Sequence, residues 1–386
     1  THPDLSEAYN GDYFGSKVEV SGNYAIVGAR GQNNYPGNAY IYQFTNSEWV
    51  LDTNLRDITN GSIPNGSRFG WSVAIHNEYA MVGAYRSNAG SAYVYSINSD
   101  SGNWEYITEL NHSSASNNDY FGESVSIFAD FFIVGASRVV NTDSTNKGAV
   151  YIFKKTDQNT FLQIQKIQRT ASYQNFFDAQ IYNNSIFVSV INNDEVATDS
   201  GSVFVYEYNG QNDIFIESQH IYPSTGDKNF GSCISLSDSE IIIGSEKKVY
   251  VYSLNDGIWT LSQGFESIDS NEYTFPQSIS FNDNFLVIGD HYNSYLNIND
   301  TTEYMQYAGA AYLYRKNISS GLWENPEKLT APDRSNDETY YFGHSVAMNN
   351  NSYLIGTYPW DKIGKLYSSN LPPASASASA TGDPYI

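Results

Sequence analysis

One phrase, an aromatic residue and Gly running into an alternating strand, recurs seven times along the chain, and nothing else limits the fold so sharply. It reads YFGSKVEV from Tyr13, RFGWSVAI from Arg68, YFGESVSI from Tyr120, FFDAQIY from Phe176, NFGSCISL from Asn229, TFPQSISF from Thr274 and YFGHSVAM from Tyr341. Phe14, Phe69, Phe121, Phe177, Phe230, Phe275 and Phe342 are about 45 to about 67 residues apart, the length of one propeller blade. Each unit continues with a short apolar strand ending in small residues, as in AIVGA from Ala25, AMVGA from Ala80, FIVGA from Phe132 and IIIGS from Ile241, with looser copies from Ile186, Phe285 and Tyr353. A third strand follows, GNAYIY from Gly37 or GSAYVY from Gly90 and their kin, and Trp49, Trp104, Phe161, Phe215, Trp259 and Trp323 mark a fourth. The seventh unit has no such fourth strand. Turns such as Asn209-Gly210 and Asp256-Gly257 make these strands antiparallel hairpins. Radial repetition protects their edges, so the expected fold is all-β, a seven-bladed β-propeller of four-stranded blades with blade seven incomplete.

The FG and VGA phrases resemble FG-GAP repeats, the units of the integrin α-subunit head, over roughly residues 1–370. Asp178 and Pro276 stand where the other copies have Gly. The resemblance implies calcium sites on D-x-D-x-D-G loops between the first two strands. Here those connections are as short as Ser21-Gly22-Asn23, His76-Asn77-Glu78 and Asn282-Asp283-Asn284, too short to wrap an ion that needs six or more oxygens. No metal or other cofactor is expected. Ca²⁺ stays open only at the loops Asn141 to Asn146 and Asn192 to Asp199, whose oxygen ligands lack EF-hand spacing and read as solvated polar loops.

Charge narrows the partners. Twenty Lys and Arg face 42 Asp and Glu, a net of -22 that repels phosphate backbones and anionic lipid, so neither nucleic acid nor membrane insertion is expected. Residues 371–386 change to a Pro, Ala and Ser stretch that reads as a linker. Its GDPYI ending resembles the G-D-P-H opening of von Willebrand type D-like domains, with Tyr385 where His is usual, which implies a further domain downstream.

Strand alternation puts Val18, Val73, Val125, Ile181, Ile234, Ile279 and Val346 on one face of the inner strands, and Lys17, Ser72, Ser124, Gln180, Cys233, Ser278 and Ser345 on the other, facing the axis. Cys233 reads there as packing. Lys17 and Glu19 are the charged exceptions and read as a solvated channel pair, with a functional role for the two as the alternative. The six histidines, at His2, His76, His112, His220, His291 and His344, share no metal spacing, and no nucleophile elbow or P-loop is present. No catalysis is expected. Two carboxylates meeting across the ring from distant repeats is the exception that sequence leaves open.

The expected function is a non-catalytic extracellular or cell-surface module for adhesion or structural assembly, such as a repeating subunit of a glycoprotein filament. The alternative is an accessory propeller of a secreted enzyme. Binding of proteins, glycans or further copies is expected at the long loop Asp290 to Tyr307, through Tyr292, Tyr295, Tyr304 and Tyr307 with Asp300 and Glu303, unless that loop packs on its own propeller. Glycosylation sequons stand at Asn60, Asn65, Asn111, Asn183, Asn299, Asn317 and Asn350. The open edge of blade seven is expected to take a strand from a neighbouring molecule, from an upstream segment or from Ala374 to Ala380.

Overall fold

The computed structural model describes residues 12–31, 36–60, 63–112, 116–139, 148–157, 159–169, 178–194, 197–223, 227–268, 275–297, 300–305, 307–332, 341–358 and 364–372, with backbone alone at 295–305 and 325. Asn299, the loop 141–146 and the tail from Ala374 lie outside them. Seven sheets form in chain order, six of four strands and a seventh, Ser345–Met348, Ser352–Gly356 and Leu366–Asn370, of three among the described residues. The inner strands are Phe14–Ser21, Ser72–His76, Phe121–Phe128, Asp178–Tyr182, Ile234–Leu236, Ser278–Phe281 and Ser345–Met348. Among the described residues one helical turn, Leu55–Ile58, departs from β structure, capped by Asn54, whose side chain accepts from Arg56 N–H.

The repeated phrases are the hardware of the joints between blades. Phe-Gly is the middle of a tight turn: Ser16 N–H donates to Tyr13 O at 3.0 Å, as Trp71 does to Arg68 at 3.0 Å and Glu123 to Tyr120 at 3.1 Å. Gly15 at φ +85°, Gly70 at +87° and Gly122 at +87° occupy the position where such a turn needs positive φ. Each Phe then drops into the blade and meets a third-strand tyrosine edge-on, Phe14 with Tyr40 at 5.6 Å and Phe69 with Tyr93 at 5.4 Å among them. Burying such a ring contributes roughly 1.5–3 kcal/mol.

The Gly of the VGA phrase is forced by the next blade. A Cβ on Gly83 would lie 2.0 Å from Gly122 O, and one on Gly356 would lie 2.1 Å from Gly15 O. Inner-strand serines bond those same carbonyls: Ser72 Oγ donates to Gly122 O at 2.8 Å, Ser278 Oγ to Gly343 O at 3.1 Å and Ser345 Oγ to Gly15 O at 2.6 Å. The serines expected to face the axis are therefore tied into the neighbouring blade. Apolar residues fill the rest of each joint. Seven buried clusters alternate with the sheets, and Val18, Val73, Val125, Ile181, Ile234, Ile279 and Val346 fall one to each.

Blade four corrects the sequence alignment. Asp178 pairs with Ser189 and Ala179 with Val188, as Lys17 pairs with Gly28 and Val18 with Val27. Asp178, not Gln180, thus holds the position of Lys17, and it does not replace a turn glycine. Blade six makes its bend with a cis Phe275-Pro276 bond. The loop expected from Asp290 to Tyr307 is also corrected: Tyr295–Asn297 and Asp300–Met305 pair as an antiparallel hairpin.

Candidate functional site

The inner strands enclose about 1110 Å³ on the axis. Small side chains line part of it, including Ser72, Ser124, Ser126, Cys233 and Ser278. Six charged side chains break the pattern: Lys17, Glu19 and Arg30 from blade one, Glu123 and Arg138 from blade three and Asp178 from blade four.

Glu19 sits where blades three, five and six place Ser126, Ser235 and Ser280, blades two and seven place Ala74 and Ala347, and blade four places Gln180. Its carboxylate accepts the Ile75 N–H of the next inner strand, and Ser126 Oγ does the same for Ile181 N–H at 3.1 Å, as Ser280 Oγ does for Met348 N–H at 3.0 Å. A hydroxyl is therefore enough to satisfy that exposed strand edge, and the carboxyl exceeds what the joint requires. Enclosure by the blades pushes Glu19 up to about 8, against the lowering effects of the Ile75 N–H and Lys17, with Asp178 adding to the rise. The side chain is half-exposed to the chamber itself. Burial also raises Glu123, with the hydroxyl of Ser137 and the charge of Arg138 pulling the other way. Cys233 is pushed up to about 12 by burial and lies 3.7 Å from Pro276 O, a thiol doing the work of the joint serines.

An arc of aromatic rings and arginines rims one end of the chamber. Tyr292 stands 5.5 Å from both Tyr307 and Tyr341 and 4.0 Å from His291. His291 is 5.2 Å from His344, which stacks on Tyr358 at 4.4 Å, and Tyr358 stacks on Tyr13 at 4.5 Å. The Arg30 guanidinium lies 4.9 Å from the Tyr13 ring, 4.1 Å from Trp71 and 4.7 Å from Tyr358. Trp71 meets Tyr85 at 4.6 Å, Tyr85 meets Tyr120 at 4.9 Å, and Arg138 covers Tyr120 at 4.3 Å. Tyr13, Arg68, Tyr120 and Tyr341 reach this rim from left-handed backbone, at φ 55°, 65°, 63° and 49°. Such values are uncommon outside glycine and mark positions held by their surroundings. Burial takes His291 down to about 4, and burial with the charges of His291 and Arg30 takes His344 well below the usual histidine range.

The sequence expectations map onto this site unevenly. Lys17 and Glu19 face the chamber, and Tyr292 and Tyr307 join the rim. Tyr295 and Tyr304 sit on the hairpin as backbone positions, with Leu296 opposite Tyr304. Asn60, Asn65, Asn111, Asn183 and Asn350 are exposed, while Asn317 is half-buried, holding Glu324 at 3.0 Å. Sequence reading missed Asp178, Glu123 and the arginines of the rim as site residues, because they are scattered over four repeats.

The FG-GAP repeat family matches residues 5–42, 63–95 and 104–153. No curated protein matches the chain. Among solved structures, the periplasmic gluconolactonase of Pseudomonas aeruginosa is similar at 12% identity and TM-score 0.53, covering 82% of this chain and 85% of that one. A putative 6-phosphogluconolactonase of Bacteroides fragilis is similar at 10% identity and TM-score 0.52, covering 95% of this chain and 99% of that one. One from Bacteroides uniformis gives 10%, 0.52, 86% and 93%. The likeness is one of fold. It corrects the expectation of a non-catalytic adhesion or filament module: proteins of this architecture are named as lactonases, so a ring of repeats without a local catalytic motif does not set catalysis aside. The physical reason lies in the chamber, where single residues from separate blades converge and leave no contiguous signature. Among the described residues no helix is long and apolar enough to cross a membrane.

Proposed function

Because the chain belongs to the FG-GAP repeat β-propeller family, its seven inner strands surround one axial chamber, and we propose that this chamber performs acid–base chemistry on a small polar molecule. The observation that carries the reading is Glu19: a carboxyl held up at about 8 where a serine suffices structurally. At neutral pH such a group is protonated and able to donate, and pKa values near the working pH give the most effective proton transfer.

The reaction to test is hydrolysis of a sugar lactone, the substrate class that the names of the structural relatives bring to this chain. Water adds to the ring-ester carbonyl, the acyl C–O bond breaks, and the ring oxygen takes a proton to give the hydroxy acid. Glu19 supplies that proton, and Asp178 on the far arc of the ring takes one from the attacking water. Lys17 lies beside Glu19 on the same strand face, positioned to steady the oxyanion.

The test is hydrolysis of glucono-δ-lactone above its spontaneous rate by the wild type and by Glu19→Ser, which keeps a hydroxyl for the Ile75 N–H. A loss of about 100-fold is expected, within the range of one general acid. Wild type that adds nothing to the spontaneous rate, or a Glu19→Ser variant as fast as wild type, sinks the reaction. A secreted location goes with this reading, supported by five exposed sequons, and a mass shift on enzymatic deglycosylation of the secreted chain is its check.

A further inference from the structure

Four of the chain's eight arginines lie at this end of the ring on blades one to three, Arg30 and Arg138 lining the chamber and Arg68 and Arg86 near enough to Arg30 for their charges to act on it, in a protein of net charge -22. None of them makes a close ion pair with a carboxylate among the described residues, and only Arg138 acts on one at longer range, Glu123. Other cations on the molecule do: Arg169 pairs with Glu217 at 2.7 Å, Lys154 with Asp213 at 2.7 Å, Lys155 with Asp130 at 3.1 Å, Lys248 with Asp227 at 3.2 Å and Lys316 with Glu240 at 2.5 Å. Arg169 also stacks on an aromatic ring, Phe204 at 3.5 Å, so stacking and pairing are compatible in this fold.

The geometry leaves donors free. Arg30 is wedged flat among Tyr13, Trp71 and Tyr358, and its Nε is buried without an acceptor. Arg68 spends one Nη1 hydrogen on Gly31 O. Arg86 and Arg138 are exposed and follow the ends of their second strands, where Arg86 N–H holds Ser67 O and Arg138 N–H holds Asp119 O, both at 3.1 Å. Like charges held together in this way repel unless an anion joins them, and burial and Arg68 together bring Arg30 down to about 10. Planar guanidinium groups are matched to the oxygens of carboxylate, phosphate and sulfate.

We propose that the rim binds an anionic sugar, its acid group taken by Arg30, Arg68, Arg86 and Arg138 and its ring seated against the half-buried Trp71. The aromatic face suits the C–H face of a sugar ring, while the arginines exclude neutral sugars by leaving their own charge uncompensated. This deepens the reading of the chamber as the ligand site, but it stands or falls on binding alone and requires no reaction.

Binding is read from Trp71 fluorescence, taken as the difference between wild type and Trp71→Phe, during titration with glucose 6-phosphate, glucuronate and glucose. Either or both of the anionic sugars are expected to bind, the tighter one naming the acid group, with glucose at least ten-fold weaker. Arg86→Met/Arg138→Met, both exposed positions, is expected to weaken anion binding at least ten-fold while leaving the melting temperature in place. Equal affinity for glucose, no binding of either anion, or an unchanged double variant with native melting overturns the proposal. Sugar-anion binding without lactone hydrolysis removes the reaction and keeps this site; hydrolysis without anion preference does the reverse.

Discussion

Blades one to three and blades four to six build the same ring with different emphasis. In the first arc the Phe-Gly turns and close-approach glycines are intact, the rim carries Arg30, Arg68, Arg86 and Arg138, and the family match falls here. In the second arc the motifs loosen, with Ser189 in place of a close-approach glycine and Pro276 in place of a turn glycine, and the outer wall is tied instead. At the junction of the two arcs, Gln165 of blade three clamps the Phe215 backbone of blade four, donating to its O at 2.9 Å and accepting its N–H at 2.7 Å. Gln219 treats Trp259 alike at 2.8 and 2.9 Å, and Gln263 treats Trp323 alike at 2.9 and 2.9 Å. One arc locks near the axis and presents charge; the other adds locks at the rim of the wheel.

The largest test exchanges the axial locks. Gly83→Ser would put Cβ 2.0 Å from Gly122 O, and we expect a cost of more than about 3 kcal/mol, read by denaturant unfolding. Ser189→Gly, the mirror change in blade four, is expected to stay within about 1 kcal/mol. Equal costs would erase the distinction between the arcs. Gln219→Ala strands one donor and one acceptor of the Trp259 backbone, and about 1–2 kcal/mol is expected. Thr108→Ala, at the corresponding place in blade two, is expected to cost less than about 0.5 kcal/mol.

A smaller effect follows pH. The Glu19 carboxyl holds its proton more tightly folded than unfolded, so its contribution is present at low pH and fades as pH rises toward about 8. His291 and His344 work in the opposite sense, adding stability as pH rises toward their unfolded value near 6.5. The clean window is pH 6.5 to 8, where the melting temperature should fall in wild type and flatten in Glu19→Gln. A slope unchanged by the substitution rules Glu19 out as its source. Smallest of all, calcium chelation should leave the melting temperature unmoved; a clear drop would place a metal in one of the arcs.

Most of the architecture was legible because the repeated phrases are steric requirements: Phe69 needs its pocket, Gly70 its turn and Gly83 its clearance. Blade four was misaligned by two residues, since a strand's faces repeat every second residue and such a slip leaves the pattern of Ala179 and Ile181 unchanged. Lys17 and Glu19 were visible as charges among serines. Arg30, Arg68, Arg86 and Arg138 were not, because nothing in their separate surroundings marks them until the ring brings them to one rim. The glutamine clamps were equally hidden: Gln165 reads as an ordinary polar outer-strand residue until Phe215 lies beside it.

The joint between blades seven and one has a consequence for the order of assembly. Ser72 reaches a carbonyl 50 residues away, whereas Ser345 reaches one 330 residues away to make the same bond. Closing the longer loop costs about 1.7 kcal/mol more in chain entropy. Blades can therefore condense one on the next as neighbours in the chain, with the Ser345 to Gly15 seam sealing last and parting first. Weakening it, as in Ser345→Ala, should quicken unfolding and leave the folding rate nearly untouched, so the lifetime of the closed ring is set at a single seam.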